Sequence, residues 1–513
     1  MPVIVFKDFS GGINNRYRSN RIADNEIAAA RNSRWNRFGA LSKRLGTTRI
    51  VLTDSGTPIS GAVFGLFSYY LSTMAAEQLI LADNSGNLWR TTSLPALTSL
   101  ATGLNTTFEP NFEILNDLVF YTNSNDEVRS INASNTVTNI SAAPPSRYIA
   151  VHKGYLFFFN AQLTPNPSRL QWSARNDGTT YVSTNFEDVN KNDGYYGSGM
   201  VSFGDELILF KGPFFTNQSY QGSSMYAVLG DTFDATNPTY SIVKIPLPPN
   251  VGVVHGRTAK VLNGVLIFAT NDGFYAYRGG GVPPEPISEK IRGNIDNWET
   301  ADAYSPTRRA TAVVFKNKYL CSIYDKTDSS DGANNRVFVY EDGKWLTDII
   351  SSTADSFALG SGAPMAWSIF NGTLYSSSSN LASIMNSWET SGAFKDVLGD
   401  GTDGNVNFSV LTKEFDLGKE VFFKKCFVHL RRQSSGTLTF EVNVNQRGAV
   451  SSSVSMSSPD TGTSESSSSN VLRKGVDISK TGRTIQFRMH DLGNNDLEIY
   501  AIELHYDDAE KIS

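Results

Sequence analysis

Five histidines are the first residues to test for chemistry: His152, His255, His429, His490 and His505. The last three occupy polar positions of strand-like segments near the C-terminus. Were those strands neighbours in suitable register, their imidazoles could approach one metal ion. No carboxylate stands at a spacing that would orient such ligands. Exposed histidines are also common on sheets, so the plain reading is preferred and no metal is assigned. His152 and His255 have no recognisable nucleophile partner and read as hydrogen-bonding residues. Two acidic stretches invite a calcium reading: DKTDSSDG (Asp325, Asp328, Asp331) and DVLGDGTDG (Asp396, Asp400, Asp403). Neither has the alternate-residue oxygen spacing or the closing Glu of a calcium loop. Asp, Ser and Gly in such runs favour hairpin turns through side-chain-to-backbone bonds. There is no phosphate-cradling glycine loop and no Cys/His zinc spacing. No catalytic residue and no cofactor is assigned, and the expectation is a non-enzyme.

A second group is distinguished by charge. Residues 1–49 hold ten basic residues against three acidic ones, a surplus of seven. The other 35 basic and 47 acidic residues leave the body twelve charges negative. Arg16, Arg18, Arg21, Arg31, Arg34, Arg37, Lys43 and Arg44 are therefore candidate assembly residues. A basic arm on an acidic body can meet nucleic acid or an acidic face of a neighbour. The interleaving of these residues with turn and helix formers favours the neighbour. Gly11-Gly12 breaks the chain after an extended VIVFKDF. Asp24 is then placed to cap a short helix over Asn25–Arg34, with Glu26 in its first turn.

The elements that must position these residues read as strands. Val261–Gly279, VLNGVLIFATNDGFYAYRG, is an apolar strand, a tight turn and an aromatic strand. The phrase recurs loosely as EQLILADNSGNLWRTT from Glu77, NDLVFYTNSNDEVRSIN from Asn116, KGYLFFFN from Lys153 and GDELILFKG from Gly204. It returns as NKYLCSIYDKT from Asn317 and NGTLYSSSSN from Asn371. Seven hairpins at roughly 40–60-residue intervals suit the blades of a β-propeller. Seven blades are favoured, with six or eight possible. Aromatic residues at 12% and 42 glycines agree with sheets and tight turns. Beyond a Gly/Asp-rich linker near Asp400–Asn407 the pattern becomes clean alternation. Leu438, Phe440, Val442 and Val444 share one face, as do Ile485, Phe487 and Met489, and Tyr500, Ile502, Leu504 and Tyr506. This predicts a C-terminal β-sandwich or jelly-roll-like domain, with the serine-rich insert 451–470 as a loop. The expected organisation is all-β: an arm with one short helix (1–60), a propeller (61–405) and a sandwich (406–513). Cys321 and Cys426 are expected as buried thiols of a reducing cytosol. No apolar run approaches the roughly 20 residues of a membrane span, and the opening MPVIVFKD is too short for a signal-peptide core.

Two resemblances follow from these phrases. ARNDGTTY (Ala174–Tyr181) resembles the Asp-box turn of sialidase-like propellers, with Asn176 where the box has Asp and Ala174 where it has Ser or Thr; the box is a folding turn. Over nearly the whole chain, the sequence resembles the tail tubular or nozzle-like propeller proteins of tailed phages. The matching phrases are FKDFSGGINNRY…RIADNEIAAARN…FGALSKRLGTT, RLQWSARNDG, ELILFKGPFFTNQSY, GVVHGRTAKVLNGVLIFATNDGFYAYRGG, EPISEKIRGNI, NRVFVYEDGKWL and VLTKEFDLGKEVFFKKCFVHL. The resemblance implies a structural virion protein, assembled in the host cytoplasm, that forms a ring (six-fold) around a DNA exit channel and serves tail assembly and genome ejection. Its implied partners are its own copies, an adaptor or portal-proximal ring, tail fibres, passing phage DNA and the host surface. An acidic lumen would keep exiting DNA from sticking, since phosphate binding rests on Lys and Arg. Two other classes compete. A carbohydrate-binding receptor module would show exposed Trp/Tyr clusters. A propeller glycoside hydrolase would need a deep central pocket lined by acids and Arg.

Overall fold

The computed structural model describes residues 2–36, 38–160, 166–213, 220–233, 238–296, 310–324, 334–349, 364–377, 382–386, 394–397, 403–458 and 469–508. The protein is all-β, with a seven-bladed propeller and a separate terminal sheet. Each blade is a run of antiparallel hairpins. In blade 5, Lys260–Leu262 pairs with Val265–Thr270, which pairs with Gly273–Tyr277 and then Glu285–Pro286. The tight turn at Asn263-Gly264 forces positive φ at both residues, 51° and 76°. Asn and Gly are the residues that accept that conformation at least cost.

The innermost strands begin at Val63, Asn111, Tyr148, Tyr196, Lys260, Thr311 and Trp367. They pack side by side around a common axis, with the turn Gly256–Thr258 bridging blades 4 and 5. Between successive blades lie the cores. Phe157, Trp172, Leu209 and Phe233 fill the gap between blades 3 and 4; Phe210, Met225, Phe268 and Tyr277 fill the gap between blades 4 and 5. Both faces of a blade are thus covered, which is why runs such as Tyr155–Phe159 are buried throughout and show no alternation. The ring closes through the arm: Thr48–Val51 supplies the fourth strand of blade 7 by pairing with Ser383–Asn386.

The arm does more than close the ring. Val3–Phe6 pairs with Glu498–Asp508, and Ile27–Arg31 pairs with the long strand Phe408–Arg431. The expected helix over Asn25–Arg34 is therefore corrected to a strand. Ile27 and Ala30 are buried against the terminal sheet, and its backbone bonds outweigh the helix preference of the three alanines. The arm's one helical turn among the described residues is the 3-10 turn Ser19–Arg21.

In the terminal domain, one nine-stranded sheet folds over on itself. Phe408–Arg431 and Val471–Asp491 run through both halves and shift register near Asp416–Val421. The ring of Phe6, on the half built around Glu498–Asp508, lies tilted 4.0 Å from that of Phe415 and 5.7 Å from that of Phe487 on the other half, so the inner faces pack as in a sandwich. Two details of the terminal reading change. A bulge turns Ile499 and Ala501 inward, leaving Tyr500 half-buried with its hydroxyl on Glu498. Part of the serine-rich insert, Ala449–Ser455, is a strand paired with Thr437–Val444; residues 459–468 lie outside the described residues.

Candidate functional site

Of the eight basic candidates, three are tied up within the chain. Arg44, 1% exposed, donates to both carboxylate oxygens of Asp396 at 2.9 and 2.5 Å and to the carbonyl of Ile349. Arg34 makes a two-pronged pair with Asp348, at 2.8 and 2.6 Å. Lys43 donates to Asp491 at 2.9 Å; burial pulls its pKa down while that carboxylate pulls it up, and burial wins. These pairs join the arm to the outer strand of blade 6, to the hairpin Lys395–Val397/Asp403–Asn405 and to the terminal sheet. Buried charges of this kind are tolerated only when paired in this way. Arg16 is exposed and pairs with Glu289. Arg18 precedes the 3-10 turn and Arg21 ends it; both are exposed and make no ion pair among the described residues. Arg31 is half-buried on its strand, and Arg37 lies outside the described residues. Among the described candidates, the exposed ones are thus Arg16, Arg18 and Arg21.

The acidic turns resolve differently. Asp396 is claimed by Arg44 rather than by a cation. Asp325, Asp328, Asp331 and Asp400 lie outside the described residues, as does the side chain of Asp403. The Asp-box-like segment is a turn held by its own side chains: Asp177 accepts from the backbone and hydroxyl of Thr179, and Ala174 N–H bonds Thr180. Cys321 and Cys426 are buried free thiols, and burial pushes the Cys321 pKa up to about 12.

The terminal histidines do not form a metal centre. His490 pairs in register with Ser409 and Thr439 in one half of the sheet. His429 and His505 stand in the other half, both bonded to Glu503. Arg473 supplies two more bonds to the same carboxylate, at 2.9 and 3.0 Å, and lies over the Phe427 ring at 3.3 Å. A guanidinium already neutralises Glu503 where a metal would need it. Arg473 first, then the two histidines, hold the Glu503 pKa down at about 2.

A cluster that sequence reasoning missed lies on the propeller axis. Glu109 precedes the inner strand of blade 2, Arg147 that of blade 3 and His255 that of blade 5. The Glu109 carboxylate, 0% exposed, lies 2.5 Å from His255 Nε2 and 3.4 Å from Arg147. His255 Nδ1 accepts from the Arg257 N–H, so its proton is on Nε2, facing Glu109. Burial holds the His255 pKa down against the pull of Glu109. The Arg147 guanidinium also lies over Phe108 and Tyr148, at 4.9 and 5.6 Å. Blades 2 and 5 are not neighbours in the ring, so this contact reaches across the propeller axis. Acids and arginines therefore converge on the axis, as the hydrolase reading requires, but Glu109 is bonded and enclosed. Glu113 of blade 2 and Lys260 of blade 5 also interact electrostatically. Surrounding protein pushes the Glu113 pKa up to about 7, with Lys260 opposing, and pushes the Lys260 pKa down. The one sequence signal for this cluster is positional: a charged or imidazole side chain just ahead of an inner strand.

No family model and no curated protein matches the chain. Among solved structures it is similar to BamB from Moraxella catarrhalis at 12% identity, over 76% of this chain and 98% of that one, with a TM-score of 0.36. It is similar to the WD40 β-propeller domain of Doa1 at 10% identity, over 68% and 97%, TM-score 0.34. An exo-β-1,3-galactanase from Phanerochaete chrysosporium follows at 11% identity, over 90% and 100%, TM-score 0.27.

Proposed function

We propose that this chain is a structural subunit of a bacteriophage tail, forming a nozzle or tail tubular ring around the DNA exit channel. The observation that carries this reading is the role of the arm motif on which the resemblance rests. In FKDFSGGIN, Phe9 and Ile13 are buried in the core that runs from blades 5 and 6 into the terminal sheet. Ile13 N–H bonds Trp345 in blade 6, and Gly11 N–H bonds Asn25. A Cβ on Gly11 would stand 2.7 Å from the Asn25 carbonyl oxygen, so the glycine is required by close approach. The phrase thus locks propeller and terminal domain into one rigid block, a property suited to a part that works by shape. In such a ring DNA would pass between subunits, because the axis of each propeller is crossed by Glu109 and His255. Arg16, Arg18 and Arg21 would offer the basic face to a neighbour or an adaptor. Electron microscopy of the purified chain, alone and with tail components, tests the reading. A closed ring with an axial hole supports it; a monomer that cleaves glycans ends it.

A further inference from the structure

The core between blades 5 and 6 stops short of the end where their tight turns lie. Deep in it, the ring of Phe274 stacks on Trp345 with centroids 4.3 Å apart. Toward the turns, the same face of blade 5 carries only small or aliphatic side chains, Ala276, Ile267 and Val265. Blade 6 presents Tyr340 there, paired with Trp345 and half-buried. These side chains do not close the gap, and a cavity of about 180 Å³ remains between the two blades. Its floor is aliphatic carbon, with Ile287 added, and its rim is polar. Asn263, Asn317 and Asp342 stand on the rim, each in a turn with two successive residues at positive φ. Arg278, just after the strand Gly273–Tyr277, completes it. Turn geometry accounts for Asn and Asp at such positions; it does not account for the space beneath them. None of the three uses its side chain in a hydrogen bond among the described residues, and Arg278 reaches Glu285 only at 3.8 Å.

We propose that this cavity binds one neutral hexopyranose ring, as a free sugar or as the terminal unit of a glycan. The inference stands apart from the phage reading. Size sets the limit: a cavity of about 150 Å³ already takes a benzene ring, so this one holds a single six-membered ring and no chain. Chemistry sets the class. A pyranose has an apolar C–H face, which the floor and the Tyr340 ring cover, and a girdle of hydroxyls that donate and accept. Ionised Asp342 only accepts, Arg278 only donates, and the two carboxamides do both. One cation and one anion on the rim leave no net charge to draw an ionic ligand. A purely apolar ligand would strip water from the rim and return no hydrogen bond. Asp342 is the one carboxylate among the lining residues, whereas glycoside cleavage takes two. The site therefore holds a sugar and does not cut it.

The test is saturation-transfer NMR on the full-length chain with the methyl glycosides of glucose, galactose and mannose. At least one should bind saturably, with a Kd on the order of 1–10 mM. Ala276→Leu fills the floor without touching the rim and should abolish that signal, with a thermal midpoint no lower than the parent's. Asp342→Gly keeps the positive-φ turn and should weaken binding at least about tenfold, through the loss of a charged acceptor. A disaccharide ending in the preferred hexose separates the two sources: undiminished binding supports a glycan end, and loss supports a free sugar. The proposal is overturned if none of the three glycosides binds by about 20 mM, or if only glucuronate does. It is equally overturned if Ala276→Leu or Asp342→Gly binds as the parent does.

Discussion

At the residue scale, Glu503 is the side chain with the sharpest consequence. Two bonds from Arg473 and one from each of His429 and His505 converge on its carboxylate. They favour the ionised form in the folded protein, so its folded pKa, about 2, lies below the ordinary glutamate value of 4.5. A carboxylate shifted downward stabilises the fold at every pH above its unfolded pKa. That contribution is lost as pH falls from about 4.5 to about 2. The full linkage value is about 1.36 kcal/mol per unit, and the position near the sheet surface reduces it to roughly 1–2 kcal/mol. Glu503→Gln should therefore cost about that much at pH 7 and nothing near pH 2, narrowing the gap between neutral and acid stability. Urea melts at pH 7, 4 and 2.5 check it; an equal loss at all three would show that the bonds act without the charge.

At the level of elements, the arm decides the outcome. A basic, glycine-marked segment with one helix suggests a dispensable docking arm whose removal, residues 1–49, leaves a folded monomer. The structure gives the same residues a different task. Thr48–Val51 is the closing strand of blade 7, and Ile27, 0% exposed, sits in the core beside Phe408 and Val410. Removing residues 1–49 should yield insoluble chain rather than an assembly-deficient monomer, while Ile27→Ala, at about 2–5 kcal/mol, should still fold but melt early. Solubility and thermal melts of both variants decide the matter; a soluble truncation melting like the parent would show the arm to be peripheral. The contrast marks what could be read in advance. Hairpins were legible because apolar runs flank Asn-Gly or Asp-Gly turns, as at Asn263-Gly264, and both signals are local. Ile27–Arg31 was not, because its partner, Ser409–Thr412, lies nearly four hundred residues away and local alanine content points toward helix. The axial cluster was hidden for the same reason: Arg147 stands 38 residues from Glu109 and 108 from His255. The shared face of His429 and His505 was visible as polar strand positions, whereas Arg473, which excludes a metal there, was not.

For the whole molecule the question is whether propeller and terminal sheet behave as two domains or one. Length and the change of strand pattern argue for two. Against this, the core containing Phe274, Phe338 and Trp345 of blades 5 and 6 continues through Ile13, Ile27 and Leu41 of the arm to Phe408, Phe440 and Phe487. The polar joint repeats the point: Arg44 bonds Asp396 and the Ile349 carbonyl, and its Asn32 partner also accepts from the Ile349 N–H. A joint with both an apolar core and a buried ion pair should make unfolding of the two parts coincide. Hydrogen exchange under mild denaturant should then find the same opening free energy in Glu206–Gly212 of blade 4 and in Thr437–Val444 of the terminal sheet. Arg44→Met leaves Asp396 buried without its cation and should cost about 3–5 kcal/mol. If the joint is what couples the parts, that loss should appear in both peptides by the same amount. A loss confined to the terminal sheet would mean that the blades hold themselves together, and that the arm only tethers a second, independent domain.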